Sequence, residues 1–209
     1  EYLKCALDHL LQNLQADLFL HSPVIGAQTE KNRICALNCV DDEGMFEIRA
    51  KAFVDASGDA NLARLAGAKV MWGDAQGRVQ AASLPFRLSG VDITKDMSPA
   101  AVKCAVEQAR NAGMEHLPRE SGFLLTLEGS QVVCALIPSV MPEGLSAREL
   151  TRMEQELREQ AVSYAAALKR YMPGMEHSEL VMIGPSIGLR ETRRLVGRTQ
   201  RTGEDVLSG

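Results

Sequence analysis

The chain has 209 residues, 45% of them hydrophobic and 24% charged, with a formal net charge of -4. That composition suits a folded globular protein, and no apolar run approaches the ~20 residues that a membrane-spanning helix needs. Aromatic residues make up only 4%, too few for the stacking platforms of single-stranded nucleic-acid binders, and the negative charge opposes phosphate backbones. Neither nucleic acid nor membrane is an expected partner.

The first element in chain order is an amphipathic helix, in which Leu3, Leu7, Leu10, Leu11 and Leu14 recur at helical spacing. The apolar stretch 17–20, stopped by Ser22-Pro23, predicts a brief strand. Two further strands are predicted at 33–40 and 45–51, joined by the turn Asp41-Asp42-Glu43-Gly44, and a three-stranded meander results if 24–28 pairs as well. Residues 52–56 are almost continuously apolar, the signature of a strand buried on both faces, and they run through Ser57-Gly58-Asp59 into a short helix at 61–66.

After Gly67 a polar, glycine-bearing stretch ending at Gly77 reads as a crossing into a second domain. The alternation of Leu84, Phe86 and Leu88 predicts a strand there. Ser98-Pro99 opens a helix that Gly113 closes, and a hairpin is expected at 123–127 and 131–137 around Glu128-Gly129-Ser130. Ser146 and Glu149 form a capping box for the longest helix, which carries Leu150, Met153, Leu157, Ala161, Tyr164, Leu168 and Tyr171 on one face until Pro173-Gly174. Residues 181–197 read as short strands and turns rich in arginine. The expected domains are therefore 1–72 and 73–209, of α/β class overall and α+β for this stretch.

A strand that empties through glycine into a helix is a common place to hold a ligand at the carboxyl edge of an α/β sheet, so Ala56-Ser57-Gly58-Asp59 is the first candidate site. Free helix amides would suit phosphate, whereas Asp59 would favour a sugar or ribityl hydroxyl. On spacing alone, an ordinary turn with Asp59 capping the helix is the plainer reading. The second candidate is the arginine cluster Arg190, Arg193, Arg194, Arg198 and Arg201. Arg190 and Arg193 are candidates for clamping an anion or stabilising charge during hydride transfer, and a solvated network with Glu191, Glu204 and Asp205 is an equal alternative.

Cys5, Cys35, Cys39, Cys104 and Cys134 are odd in number and include no CxxC pair, so they read as reduced thiols, and a cytoplasmic location is expected. His9, His21, His116 and His177 are dispersed, with no metal-binding spacing, so no metal site is expected. There is no GxSxG elbow to support a serine hydrolase. The chain opens at Glu1 within a helical pattern and without an initiator Met, which reads as an internal piece of a longer protein.

Four segments, in order, resemble a known family. Residues 51–68, KAFVDASGDANLARLAGA, are similar to the "AKxxIDATGDGDLAxxAGA" segment of the FAD-dependent oxidoreductases that include fumarate-reductase-like flavoproteins. This chain has Ser57 for Thr, Ala60 for the second Gly and Asn61 for Asp. Residues 18–24 resemble the "LLLHTxV" strand, residues 77–91 resemble "GxxQPATLxFRLxGVD", and residues 187–197 resemble "IGVRETRRIVG".

The resemblance implies a flavoenzyme of the glutathione-reductase-type fold. Residues 1–72 would form part of a Rossmann-like FAD-binding domain with a β-meander, and 73–209 a substrate domain of antiparallel sheet and helices that begins a return to the FAD domain. It implies FAD contacts by Val24, Ala56, Ser57, Gly58 and Asp59, roles at the flavin for Arg190 and Arg193, and hydride transfer to or from a small organic substrate. The family's phosphate-binding GxGxxG turn does not occur in the chain, so FAD is expected in the parent protein but not to be retained by these residues alone. The alternative is a binding or assembly module that works without flavin. Homo-oligomerisation is left open.

Overall fold

The computed structural model describes residues 2–74, 76–126, 129–199 and 202–208. They form two compact units: Glu1–Met71 with Arg193–Gly209, and Trp72–Thr192. All the strand pairings among the described residues are antiparallel, giving mixed helix and antiparallel sheet.

The first unit starts with α1 (Tyr2–Asn13), followed by β1 (Val24–Glu30), β2 (Arg33–Asp41) and β3 (Gly44–Arg49). The three strands form an antiparallel meander in the order β1-β2-β3. Its second turn is fixed by Asp41, whose Oδ1 accepts from the amides of Glu43 (2.9 Å) and Gly44 (3.1 Å). The short α2 (Asn61–Leu65) and β4 (Val70–Met71) follow.

Two of the predicted strands do not form. Residues 17–20 and 52–56 are irregular, and neither has a ladder partner among the described residues. Phe19 packs instead against Phe46 of β3, ring centroids 5.9 Å apart, and Val54 is 88% exposed. Apolar character gave these segments strand potential, but a strand is completed only by neighbours that accept its backbone hydrogen bonds. The predicted face of α1 likewise exists without cover: the helix has no buried residue, and Leu3, Leu7, Leu10 and Leu14 are all exposed.

The second unit comprises β5 (Ala82–Ser83), β6 (Phe86–Ser89), α3 (Pro99–Asn111), β7 (Phe123–Thr126), β8 (Val133–Leu136), β9 (Ser139–Val140), α4 (Ala147–Tyr171) and β10 (Glu179–Ile183). Pro85 splits the predicted 84–88 strand, because it brings no amide to a ladder, yet Leu84, Phe86 and Leu88 are all buried. The main sheet has the order β10-β6-β8-β7, and β5 pairs with β9. One face of the main sheet, with Phe86, Leu88, Val133 and Ala135, shares a core with Val102 and Val106 of α3 and with Ala161, Tyr164 and Leu168 of α4. Each large side chain fully buried there contributes about 1.5–3 kcal/mol.

Both long helices start where their cap residues predict. Ser98 accepts from the Ala101 amide at 3.3 Å, and Ser146 accepts from the Glu149 amide at 3.2 Å. The capping box at Ser146 is modified, however: the Glu149 carboxylate accepts from the Glu143 amide (3.2 Å) and from Arg152 (2.7 Å). Two buried polar residues of α4 pin irregular backbone. Gln160 exchanges hydrogen bonds with both the N–H and C=O of Ser139, and the Tyr164 hydroxyl does the same with Arg119. Leu127, the end of the predicted strand 123–127, and Glu128 of the predicted turn 128–130 lie outside the described residues.

The chain then rejoins the first unit, where β11 (Arg194–Leu195) pairs with β4, and it closes with α5 (Gly203–Ser208).

Candidate functional site

In the first unit a cleft of about 630 Å³ opens between the start of the meander and the 54–65 segment. Its walls are apolar, from Val24, Ile25, Leu37, Val54, Leu62 and Leu65, and Ser57, Asn61 and Arg64 supply polar groups. An irregularity in β1 between Val24 and Gly26 interrupts the strict alternation of side chains, and both Val24 and Ile25 line the cleft.

The lower rim is organised by Asp55, which sequence reasoning passed over in favour of Asp59. Asp55 Oδ1 accepts from the Ser57 hydroxyl (2.6 Å) and the Ser57 amide (3.1 Å), and Oδ2 accepts from the Ala63 amide (3.0 Å). Ser57 Oγ in turn accepts from the amides of Asp59 and Asn61, each at 3.2 Å. The Ser57 hydroxyl, followed by the Ala63 amide, holds the Asp55 carboxyl below its usual range. The expected row of free amides at the start of α2 is therefore not available to a phosphate: Asp55 and Ser57 already satisfy the Asn61 and Ala63 donors. The signal for this was the Asp-x-Ser spacing, which favours a local side-chain-to-backbone turn.

Backbone shape follows from the same turn. Gly58 has φ +75°, and Ala60, which precedes α2, has φ 50°, in the left-handed region that costs a residue with a Cβ about 1–2 kcal/mol. Ala60 occupies the position where the family pattern carries glycine.

Of the predicted cofactor contacts, Val24, Ala56 and Ser57 line the cleft together, while Gly58 and Asp59 belong to the adjoining turn and not to its walls. Arg190 and Arg193 are divided between the two units. Arg193 Nη2 donates to Asn61 Oδ1 at 2.5 Å, so it stands beside a residue of the cleft wall, and its Nε is buried with no partner among the described residues. Arg190 is exposed. Arg201 lies outside the described residues. Asp205 is occupied in capping α5, accepting from the Thr202 amide (2.6 Å) and hydroxyl (2.8 Å). Arg64, unremarked in the sequence, places a further cation on the cleft.

A planar, partly polar cofactor fits this donor set. Aliphatic walls suit a ring face, Arg64 supplies a cation, and the orphaned Nε–H of Arg193 beside Asn61 is a buried donor that awaits an acceptor. Among the described residues no cluster of three or more His, Cys, Asp or Glu side chains could hold a metal ion, and no helix is long and apolar enough to cross a membrane.

The sequence profile of one family, described as FAD dependent oxidoreductase, matches residues 1–209. The chain belongs to that family. No protein of curated function matches it by sequence. Among solved structures, it is similar to a geranylgeranyl bacteriochlorophyll reductase-like protein from Thermoplasma acidophilum, with TM-score 0.52 and 14% identity over 90% of this chain and 41% of that one. It is also similar to the flavin-dependent brominase Bmp2, as a triple mutant, with TM-score 0.49 and 13% identity over 93% of this chain and 46% of that one. The myxobacterial chondrochloren halogenase CndH, a variant of FAD-dependent halogenases, gives TM-score 0.45 and 16% identity over 88% and 39%. The chain thus spans less than half the length of each of these proteins, and it shares its mixed helix and sheet arrangement with the first of them.

Proposed function

We propose that the protein containing this chain is a FAD-dependent oxidoreductase that transfers a hydride to or from a small organic substrate. In this reading the first unit is part of the FAD-binding domain and the second is the substrate domain. The observation that carries the proposal is the coincidence of the family match with a cleft whose walls include Val24, Ala56 and Ser57, the residues to which the family resemblance assigns cofactor contact.

FAD, when bound, supplies the group that accepts or donates the hydride. The chain's own residues bind and orient. Val24, Ile25, Leu37 and Leu62 provide apolar walls, and the Asp55–Ser57 hydrogen bond braces the turn that carries Ala56. Asp59 offers a carboxylate at the turn for a sugar or ribityl hydroxyl. Arg193 contributes its unpaired Nε–H for the polar edge of the cofactor, and Arg190, in the second unit, a guanidinium for an anionic substrate.

The test is a visible absorption spectrum of the purified parent protein, before and after dithionite. An oxidised-flavin spectrum that bleaches is expected. A protein with no flavin, and none after refolding with excess FAD, would return the chain to the class of binding or assembly modules.

A further inference from the structure

The core of the second unit uses only one face of its four-stranded sheet. The register defines the other face residue by residue: Leu125 of β7 lies opposite Cys134 of β8, Cys134 opposite Arg87 of β6, and Arg87 opposite Met182 of β10. Phe123 and Leu136 form the adjoining pair on the same face. Side chains directly opposite one another in such ladders stand ~4.5–5.5 Å apart at Cβ, so these residues make one continuous surface. It is apolar and open: Phe123 is 59% exposed, Leu125 50% and Met182 43%.

Among the described residues in this register Arg87 is the one cation; it is exposed and makes no hydrogen bond or ion pair there. The carboxylate nearest in register is Glu179, opposite Ser89, and it is engaged by Lys169 at 2.6 Å. Whatever covers the apolar face must also cover Arg87, and a guanidinium removed from water without a counter-charge is costly. A second copy docking through the same face would bring apolar side chains and another Arg87, and among the described residues the acid in register, Glu179, is already engaged by Lys169. A single guanidinium in an apolar surround instead matches one carboxylate attached to an apolar body.

We infer that this sheet face binds a small amphipathic carboxylic acid, with its carboxylate on Arg87 and its apolar body across Phe123, Leu125, Leu136 and Met182. Calling that acid the substrate rests on the flavoenzyme reading above; the binding site itself does not.

The test is calorimetric titration of the parent protein with decanoate, and with decanol as the uncharged probe, for wild type, Arg87→Gln and Arg87→Lys. Flavin content is read on each sample by absorbance. Decanoate is expected to bind wild type ~10-fold or more tightly than Arg87→Gln, with partial recovery in Arg87→Lys and no difference for decanol. Equal decanoate affinity for wild type and Arg87→Gln overturns the inference, whether or not flavin is present. Arg87-dependent binding by a flavin-free protein upholds the site and removes only the word substrate. Sedimentation of Leu125→Asp separates the remaining case: a fall in mass from dimer to monomer, with decanoate binding unchanged, would mean that a second copy covers the face and would also overturn the inference.

Discussion

Replacing Asp55 with alanine removes three acceptor contacts at once, from the Ser57 hydroxyl, the Ser57 amide and the Ala63 amide. The carboxylate is solvent-exposed, so its worth is that of a good cap rather than of a buried charge, about 1 kcal/mol within a range of about 0.5–2. If FAD binds only the ordered turn, that cost appears directly in affinity, as a loss of about 5-fold and at most about 30-fold. The assay is a flavin fluorescence titration of the parent apoprotein. Because the Asp55 carboxyl is held below its usual range, its stabilisation is fully present above the ordinary carboxylate pKa and disappears as pH falls through the lowered folded value. The difference between wild type and Asp55→Ala should therefore be constant near neutrality and close in acid. An Asp55→Ala protein that binds FAD as wild type does at neutral pH would refute the claim that this turn organises the cleft.

Ala60→Gly should relieve the left-handed strain before α2 and raise stability by about 1 kcal/mol, measured by urea unfolding; a loss of stability would contradict the assigned backbone. Tyr164→Phe leaves both the N–H and C=O of Arg119 without their buried partner, a cost of about 2 kcal/mol and a fall of roughly 8 °C in the Tm of the second unit by calorimetry. An unchanged Tm would show that water replaces the hydroxyl. In timed alkylation of native protein with mass readout, Cys5 and Cys104 should react first and Cys39 last, since burial removes access to Cys39 and pushes its thiol pKa up. Early labelling of Cys39 would mean that β2 opens.

What the sequence made legible was local. The Ser98 and Ser146 caps, the apolar face of α4 and the turn at Asp41 each depend on residues within a few positions of one another, and each appears as the pattern predicts. Residues 17–20 and 52–56 carry strand-like composition, but strand formation depends on a partner that composition does not specify. The role of Asp55 was hidden for a different reason: it and Asp59 both flank the glycine turn, and only the folded backbone shows which carboxylate reaches the Ser57 and Ala63 amides. The order β10-β6-β8-β7 brings Arg87 between Cys134 and Met182 from segments far apart in the chain, so that surface was invisible to periodicity. Arg190 and Arg193, close in sequence, belong to separate units because the boundary falls between Thr192 and Arg193.

The most direct test of the central claim is hydrogen exchange with mass spectrometry on the parent apoprotein, with and without FAD. The cleft predicts slowed exchange on FAD addition in peptides covering residues 23–25 and 55–65. Protection confined to other segments, with these two unchanged, would contradict the placement of the cofactor.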